Sequence, residues 1–248
     1  VAAGIFKPGL LWVALIPSLF WIPAPYAAFI ISGKYSRKTD ELEIQDIIHL
    51  RMLARKIWRF FEDIVTAEDN YLPPDNYQED PPKGVAHRTS PTNIGLLPMS
   101  ILTARDLGYI STWEMCDRMG RTANTIKKLE KWEGHLYNWY NTTNLDILRP
   151  GYISTVDSGN YVGYLMVTEE GLKGYLKSPI ADINQAFGIM DVVRLYNREG
   201  KDAGKGLSPE QVQEMLLPFF KKEPFDLILW KNTLNQILDY ILLEGNNR

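Results

Sequence analysis

The run YLPPDNYQEDPPKGVAHRTSPTNIG, from Tyr71 to Gly95, separates two strongly patterned helical segments. It holds five of the chain's fifteen prolines. Proline fixes φ and removes a backbone donor, so no continuous helix or central strand passes through such a run. An irregular stretch of about 25 residues inside a compact domain is either functional or disordered. Its aromatic residues and the periodic sequence on both sides argue for order. The carboxylates Asp75, Glu79 and Asp80, the amides Asn76, Gln78 and Asn93, and the pair His87–Arg88 lie close together. An ordered loop of this composition lines a polar cleft.

Helices are expected on either side. Residues 40–67 place Ile44, Ile47, Ile48, Leu53, Ile57, Phe60, Phe61, Ile64 and Val65 at helical spacing, with charges opposite. Thr39 or Asp40 is the expected cap. After the loop, Asn93 is the expected cap of a helix running to Leu107 and ending at Gly108. Ser111-Thr-Trp-Glu114 is a capping box that opens a helix to about Glu133. A second irregular stretch, GHLYNWYNTTNLDILRPGYISTVDSGN, spans Gly134 to Asn160. Asp157 or Ser158 is then expected to cap a helix over 159–176. Further helices are predicted over 182–198, 209–221 (capped by Ser208, with Pro209 first and Gln211 completing a box) and 225–244. Asn197 to Gly206 reads as a solvated hydrophilic turn.

No strand run, dinucleotide fingerprint or Walker pattern is found in the sequence. The chain therefore reads as all-α, with helices in pairs and long polar loops alternating with short connections. That is the arrangement of an α/α toroid, whose active site is the funnel at the loop end.

The first 38 residues read as a separate hydrophobic, membrane-associated segment, and residues 39–248 as the helical domain. No charge falls between Lys7 and Lys34. That length suffices for a hydrocarbon core of roughly 30 Å. Trp12, Trp21 and Tyr26 add interfacial character. Pro17, Pro23 and Pro25 oppose one straight helix, which leaves a kinked span or two half-spans, against a surface-bound or protein-buried segment. Lys34, Arg37 and Lys38 follow, so the positive-inside rule puts the downstream domain in the cytoplasm. The initial Val1 suggests an excised or processed chain.

With 45% hydrophobic and 23% charged residues and a net charge of −3, the composition is that of a globular protein without a nucleic-acid footprint. The single cysteine, Cys116, excludes an internal disulfide and reads as a small buried thiol. The three histidines show no zinc spacing, and neither a metal nor an organic cofactor is implied. The 12% of aromatic residues suits sugar recognition, although rings also serve as core. Glycosyl transfer or hydrolysis commonly uses two carboxyl groups flanking the scissile bond. The loops offer Asp75, Glu79, Asp80 and Asp157. The plainer reading is that Asp75 and Asp80 flank turn prolines and that Asp157 caps a helix. His87-Arg88-Thr89 serves equally well as a scaffold that fixes the loop.

The segments WRFFEDIVTAEDNYLPPDN, PPDNYQEDP, VAHRTSPTNIG and GHLYNWYNTTNLDILRPGYISTVDSGN resemble the central, glucoamylase-like region of cyclic β-1,2-glucan synthases, over about Ile57 to Leu172. The resemblance implies an (α/α)6 domain that binds β-1,2-glucan and cyclises it by transglycosylation. It also implies an enzyme of the bacterial inner membrane, with a glycosyltransferase region upstream and a phosphorylase-like region downstream. The later Ser-Glu-Ala and Gly-Ile-Ser-Glu-Ser motifs, where the family's glutamates are expected, are absent from this sequence. The chain would then be the N-terminal half of the toroid, binding sugar but inactive alone. Of the carboxylates that the loops themselves offer, Glu79 and Asp157 are the candidate catalytic pair; the matching motifs make both of them sugar-binding candidates. The same motifs make Asp75, Gln78, His87, Arg88, Thr89, Asn93, Tyr137, Asn138, Trp139, Ser158 and Asn160 the other candidate sugar-binding residues. The competing reading is a non-catalytic carbohydrate-binding or membrane-scaffold module.

Overall fold

The computed structural model describes residues 11–32, 42–199, 208–221 and 225–245. The chain forms two compact units, Val1–Glu43 and Ile44–Arg248.

In the first unit, α1 (Leu11–Trp21) and α2 (Ala24–Ile31) are separate short helices. The break falls at Pro23, the N-cap of α2, with a further proline in the first turn. At 1.5 Å per residue they rise about 16 Å and about 12 Å, each well short of the roughly 30 Å hydrocarbon core. Among the described residues no helix is long and apolar enough to cross a membrane, so the expected transmembrane span has no support here. None of the α2 side chains is buried. The basic cluster Lys34, Arg37 and Lys38, and the expected caps Thr39 and Asp40, lie outside the described residues.

The second unit is built of α3 (Ile44–Ile64), α4 (Pro91–Asp106), α5 (Thr112–Lys128), α6 (Thr155–Tyr175), α7 (Ile183–Glu199), α8 (Pro209–Lys221) and α9 (Leu227–Gly245). Caps set most of these boundaries. Ser90 caps α4 by accepting from Asn93 N, and Pro91 takes the first helical position, where its missing N–H costs nothing. Asn93 is thus two residues inside the helix, free to turn its amide outward. Ser111 caps α5 as its capping-box sequence predicts. Ser154 caps α6, four residues ahead of the expected start, so Asp157 and Ser158 lie in its first turn. Ser208 and Gln211 exchange reciprocal bonds at the start of α8. Asp226 receives Ile228 N and Leu229 N at the start of α9. Of the expected Asn197–Gly206 turn, Asn197 to Glu199 belong to α7 and the rest lie outside the described residues.

Helices α4 and α6 run parallel and in contact. Thr92 meets Asp157 at one end and Asp106 meets Tyr175 at the other, at nearly constant sequence separations of 65 and 69. Gly95 and Gly171 permit this approach, because a Cβ would lie 2.8 Å from the Tyr164 ring and 2.7 Å from Leu102 respectively. Helix α5 returns antiparallel: Arg105 bonds Thr112 at the near end, and Thr122 and Thr125 hold the carbonyls of Tyr71 and Asn70 at the far end.

The core has three clusters. Trp58, Phe61, Leu97, Ile101 and Met115 join α3, α4 and α5. Leu72, Ile94, Leu129, Leu136 and Tyr140 lie beneath the two irregular stretches. Met190, Leu216, Phe219, Trp230 and Ile237 join α7, α8 and α9.

Helix α3 departs from its predicted apolar face. Met52, Trp58 and Phe61 are buried, yet Ile44, Ile47, Leu53 and Ile57 are exposed. The inward face is partly ionic: Arg51 Nε donates to the buried Asp191 at 2.8 Å, and Arg51 also donates to Leu107 O. Cys116 is exposed rather than buried, because its neighbour Met115 takes the core position on α5.

The loops are also less irregular than the sequence suggests. Three antiparallel ladders of two-residue strands order them. They are β1 (Tyr77–Gln78) with β2 (Gly84–Val85), β3 (Arg88–Thr89) with β6 (Tyr140–Asn141), and β4 (Lys131–Trp132) with β5 (His135–Leu136). The β3–β6 ladder ties the two stretches together, pairing Arg88 with Asn141 and Thr89 with Tyr140.

Candidate functional site

The site is assembled at the N-terminal ends of α4 and α6. The first stretch leaves α3 through Asn70 and Tyr71, both left-handed at φ 52° and 58°. Two successive non-glycine residues in that region need outside support. The α5 threonines that take their carbonyls supply it, together with Asn70 Nδ2, which donates to the carbonyls of Thr142 and Thr143 at 2.8 Å. Tyr140 is fully buried beneath β3. Its hydroxyl donates to Glu130 O and accepts from Tyr137 N, and burial pushes its pKa up to about 12.

On this base sits a continuous polar network. Asp75 Oδ2 accepts from Arg88 (3.0 and 3.2 Å) and from Asn76, while Oδ1 accepts from Asn93 Nδ2 at 3.3 Å. The Arg88 guanidinium lies 5.2 Å from the centroid of the Trp139 ring. Asn138 is buried, and its amide is satisfied in one orientation. The nitrogen donates to Asp157 Oδ2 (2.9 Å), and the oxygen accepts from the Tyr152 hydroxyl (2.7 Å) and Trp139 Nε1 (2.8 Å). The reverse orientation sets oxygen against carboxylate and nitrogen against indole N–H. Asp157 Oδ1 accepts from Thr92 Oγ1 at 2.6 Å, and Asn160 donates to the same hydroxyl at 3.2 Å. Successive residues of α4, Thr92 and Asn93, therefore tie down the two carboxylates.

Of the residues expected from sequence, Asp75, Arg88, Asn93, Asn138, Trp139, Asp157 and Asn160 come together in this network. Thr89 and Ser158 lie beside it, and both place a hydroxyl oxygen in the interior without a hydrogen-bond partner among the described residues. Tyr137 packs edge-on against Tyr140, its ring part of the cluster below. His87 and Gln78 line a neighbouring groove of about 500 Å³ with Asn76, Lys83 and Arg88. Glu79 and Asp80 stand exposed at the turn between β1 and β2. Sequence reasoning does not single out Asp69, Thr92, Thr142 or Tyr152. Asp69 is 2% exposed; its Oδ1 meets His87 Nδ1 at 2.8 Å and accepts from the Thr142 hydroxyl. Nothing in EDN, the local sequence of Asp69, signals that contact, which is made across the fold. Among the described residues no group of three His, Cys, Asp or Glu is placed to hold a metal ion.

A half-buried indole beside a guanidinium, two carboxylates and three amides suits a ligand with apolar faces edged by hydroxyls. The ring faces the apolar side and the polar groups take the hydroxyls. Such is the chemistry of a carbohydrate-binding surface on a helical scaffold.

Comparison with known proteins bears on the particular kind. The chain is 39% identical, over 196 residues, to the cyclic beta-(1,2)-glucan synthase NdvB of Rhizobium meliloti (strain 1021). The resemblance to cyclic β-1,2-glucan synthases carried by the loop motifs is thus established over 78% of this chain. The matched stretch spans 7% of the length of that relative. No family model matches the chain. Among solved structures it is similar to two proteins classed as glucoamylases. The one from Bacteroides fragilis NCTC 9343 is 18% identical with TM-score 0.37, over 75% of this chain and 37% of that one. The one from Bacteroides caccae ATCC 43185 has the same identity and score, over 71% and 36%.

Proposed function

We propose that this chain is the glucan-binding portion of a carbohydrate-active enzyme that transfers glycosyl groups on β-1,2-glucan and closes the chains into rings. One observation carries the reading. Two carboxylates are joined through adjacent residues, Asn93 and Thr92, to Arg88, Trp139, Asn138 and Asn160 at the common N-terminal end of two parallel helices. The likeness to a cyclic glucan synthase supports glucan as the polymer. The antiparallel α5 between the parallel helices α4 and α6 fits the alternation of inner and outer helices in an (α/α)6 toroid, and it supports that architecture. The exposed apolar side chains of α6, among them Val162, Met166 and Val167, fit a toroid whose remaining helices lie elsewhere in a larger synthase. The exposed apolar surface from Leu19 to Ile31 supports association with the bacterial inner membrane, and the cations Lys34, Arg37 and Lys38 that follow it in sequence support a cytoplasmic helical domain.

A second reading, a non-catalytic glucan-binding module, is favoured by how the carboxylates are held. Both oxygens of Asp75 and both of Asp157 already accept hydrogen bonds from the protein. Groups committed in this way hold geometry better than they exchange protons. Glu79 makes no hydrogen bond or ion pair among the described residues and stays open to solvent, without the partners that would preorganise an acid.

Titration with linear β-1,2-gluco-oligosaccharides, following tryptophan fluorescence and product formation together, separates the two. Binding with turnover supports the enzyme. Binding without turnover supports a module whose chemistry lies on other residues. A folded chain that binds no glucan overturns both.

A further inference from the structure

We propose that the groove beside the network is a subsite for a single glucose residue of the bound chain, and that Asp69 and Thr142 hold His87 there as a hydroxyl acceptor. The proposal rests on the glucan reading above and adds a subsite and two positioning residues to it. Asp69 and His87 are 18 positions apart, and Thr142 comes from the second irregular stretch, yet the three meet at one oxygen, Asp69 Oδ1. The backbone repeats the junction, because Thr142 N donates to His87 O at 3.1 Å.

The chemistry of that junction fixes which nitrogen of the neutral imidazole carries the proton. An ionised carboxylate only accepts, so the ring nitrogen facing Asp69, Nδ1, carries the proton. In the neutral ring the other nitrogen, Nε2, is then a bare acceptor. Asp69 is almost wholly buried while the His87 side chain is 39% exposed, so the pair is anchored at its base and open at its tip. His87 lines the groove with Asn76, Gln78, Lys83 and Arg88, whose side chains carry amide, ammonium and guanidinium donors. An acceptor set among donors suits a sugar ring, whose hydroxyls each give and take a hydrogen bond. The volume, about 500 Å³, accommodates one hexose with water. Arg88 faces both the groove and, through Asp75 and Trp139, the network, so the subsite continues the same surface.

The test uses the full chain labelled with ¹⁵N in its histidines, of which there are only three, together with linear β-1,2-glucohexaose as probe. In wild type the His87 resonance, identified by its loss in His87→Phe, is expected in the Nδ1–H tautomer. It is expected to shift when the hexaose is added. His87→Phe keeps the ring volume at an exposed position. It leaves the buried Asp69 with only the Thr142 hydroxyl, so it should lower the melting temperature as well as lower hexaose affinity at least tenfold. Asp69→Asn removes the charge that favours Nδ1–H and should lose tautomer purity and affinity together. An Nε2–H tautomer in wild type, or a folded His87→Phe variant that binds the hexaose as wild type does, overturns the assignment. If Asp69→Asn does not fold, the tautomer measurement and His87→Phe still decide. Wild-type chain that binds no hexaose overturns the underlying glucan reading as well, a result distinct from binding that is insensitive to His87.

Discussion

Replacing Asp157 by asparagine probes the network at its most constrained point. Asp157 receives Thr92 Oγ1 on one oxygen and Asn138 on the other. In Asp157→Asn the oxygen can keep Thr92, but the new amide nitrogen faces the Asn138 nitrogen, donor against donor. Asn138 can rotate by 180° to accept from it. Its own nitrogen then faces Trp139 Nε1, a donor only, and the indole N–H is stranded at 2.8 Å from a group that cannot accept. Either way one buried donor is left unmet, which costs about 1–3 kcal/mol. For a domain of this size that corresponds to a melting-temperature loss of roughly 2–12 °C. The companion variant is the exchange Asp157→Asn with Asn138→Asp. Its carboxylate at position 138 accepts at once from the amide introduced at position 157, from Trp139 and from Tyr152, and every donor is satisfied again. The double-mutant cycle should therefore show recovery of at least half of the loss. Thermal unfolding of wild type, both single variants and the exchange measures it. A single substitution without cost, or an exchange no better than the sum of its parts, refutes the network as drawn.

Three further outcomes follow from the same geometry. Trp139→Ala removes the ring that stacks on Arg88 and should weaken glucan binding by on the order of 1–3 kcal/mol with the fold intact, read by calorimetric titration; unchanged affinity excludes stacking. Arg51→Met leaves Asp191, 0% exposed, without its main partner, and should cost on the order of 3–5 kcal/mol in denaturant unfolding. Burial raises the Asp191 pKa from 3.8, with Arg51 opposing the rise. The native state therefore binds this proton more tightly than the unfolded chain does. The contribution of Asp191 to stability is full below pH 3.8 and falls as pH rises through the native value. Unfolding at several pH values should give a steeper fall in Arg51→Met than in wild type. Finally, Gly120→Ala, at an exposed position of α5 with nothing within 4 Å of the new Cβ, should gain about 0.4–1 kcal/mol by the melting curve.

Much of the helical framework is legible in the sequence because its signals are local. Ser111, Ser208 and Pro209 mark helix starts by chemistry that acts within four residues. The starts of α4 and α6 are harder to place for the same reason: Ser90 and Ser154 are equally good caps, and the sequence around them offers Asn93, Asp157 and Ser158 as rivals. The two-residue strands give no periodic signal at all. Two of the ladders are short hairpins, and the third, between Thr89 and Tyr140, depends on a partner about fifty positions away. The inward ionic face of α3 is hidden likewise, since Arg51 and Arg55 read as solvated charges until Asp191 and Tyr109 meet them. The network itself is visible as a set of residues. Its connections are not, because Thr92 and Asp69 take their places only through contacts across the fold.

Just past the end of α4, Gly108 meets the start of α7 backbone to backbone. A Cβ on Gly108 would stand 1.8 Å from Asn184 O, and one on Gly188 would stand 2.1 Å from Gly108 O. Gly108 is also left-handed, at φ 81°. Two backbones touching across about eighty positions leave no side chain whose size could tune their distance. That spacing is therefore a two-valued character. It is inherited intact with both glycines, or lost by a whole methyl's width with either one. Divergence among relatives should show as drift in the loops around this seam, with the start of α7 held at one fixed distance from the Gly108 turn wherever the pair of glycines survives.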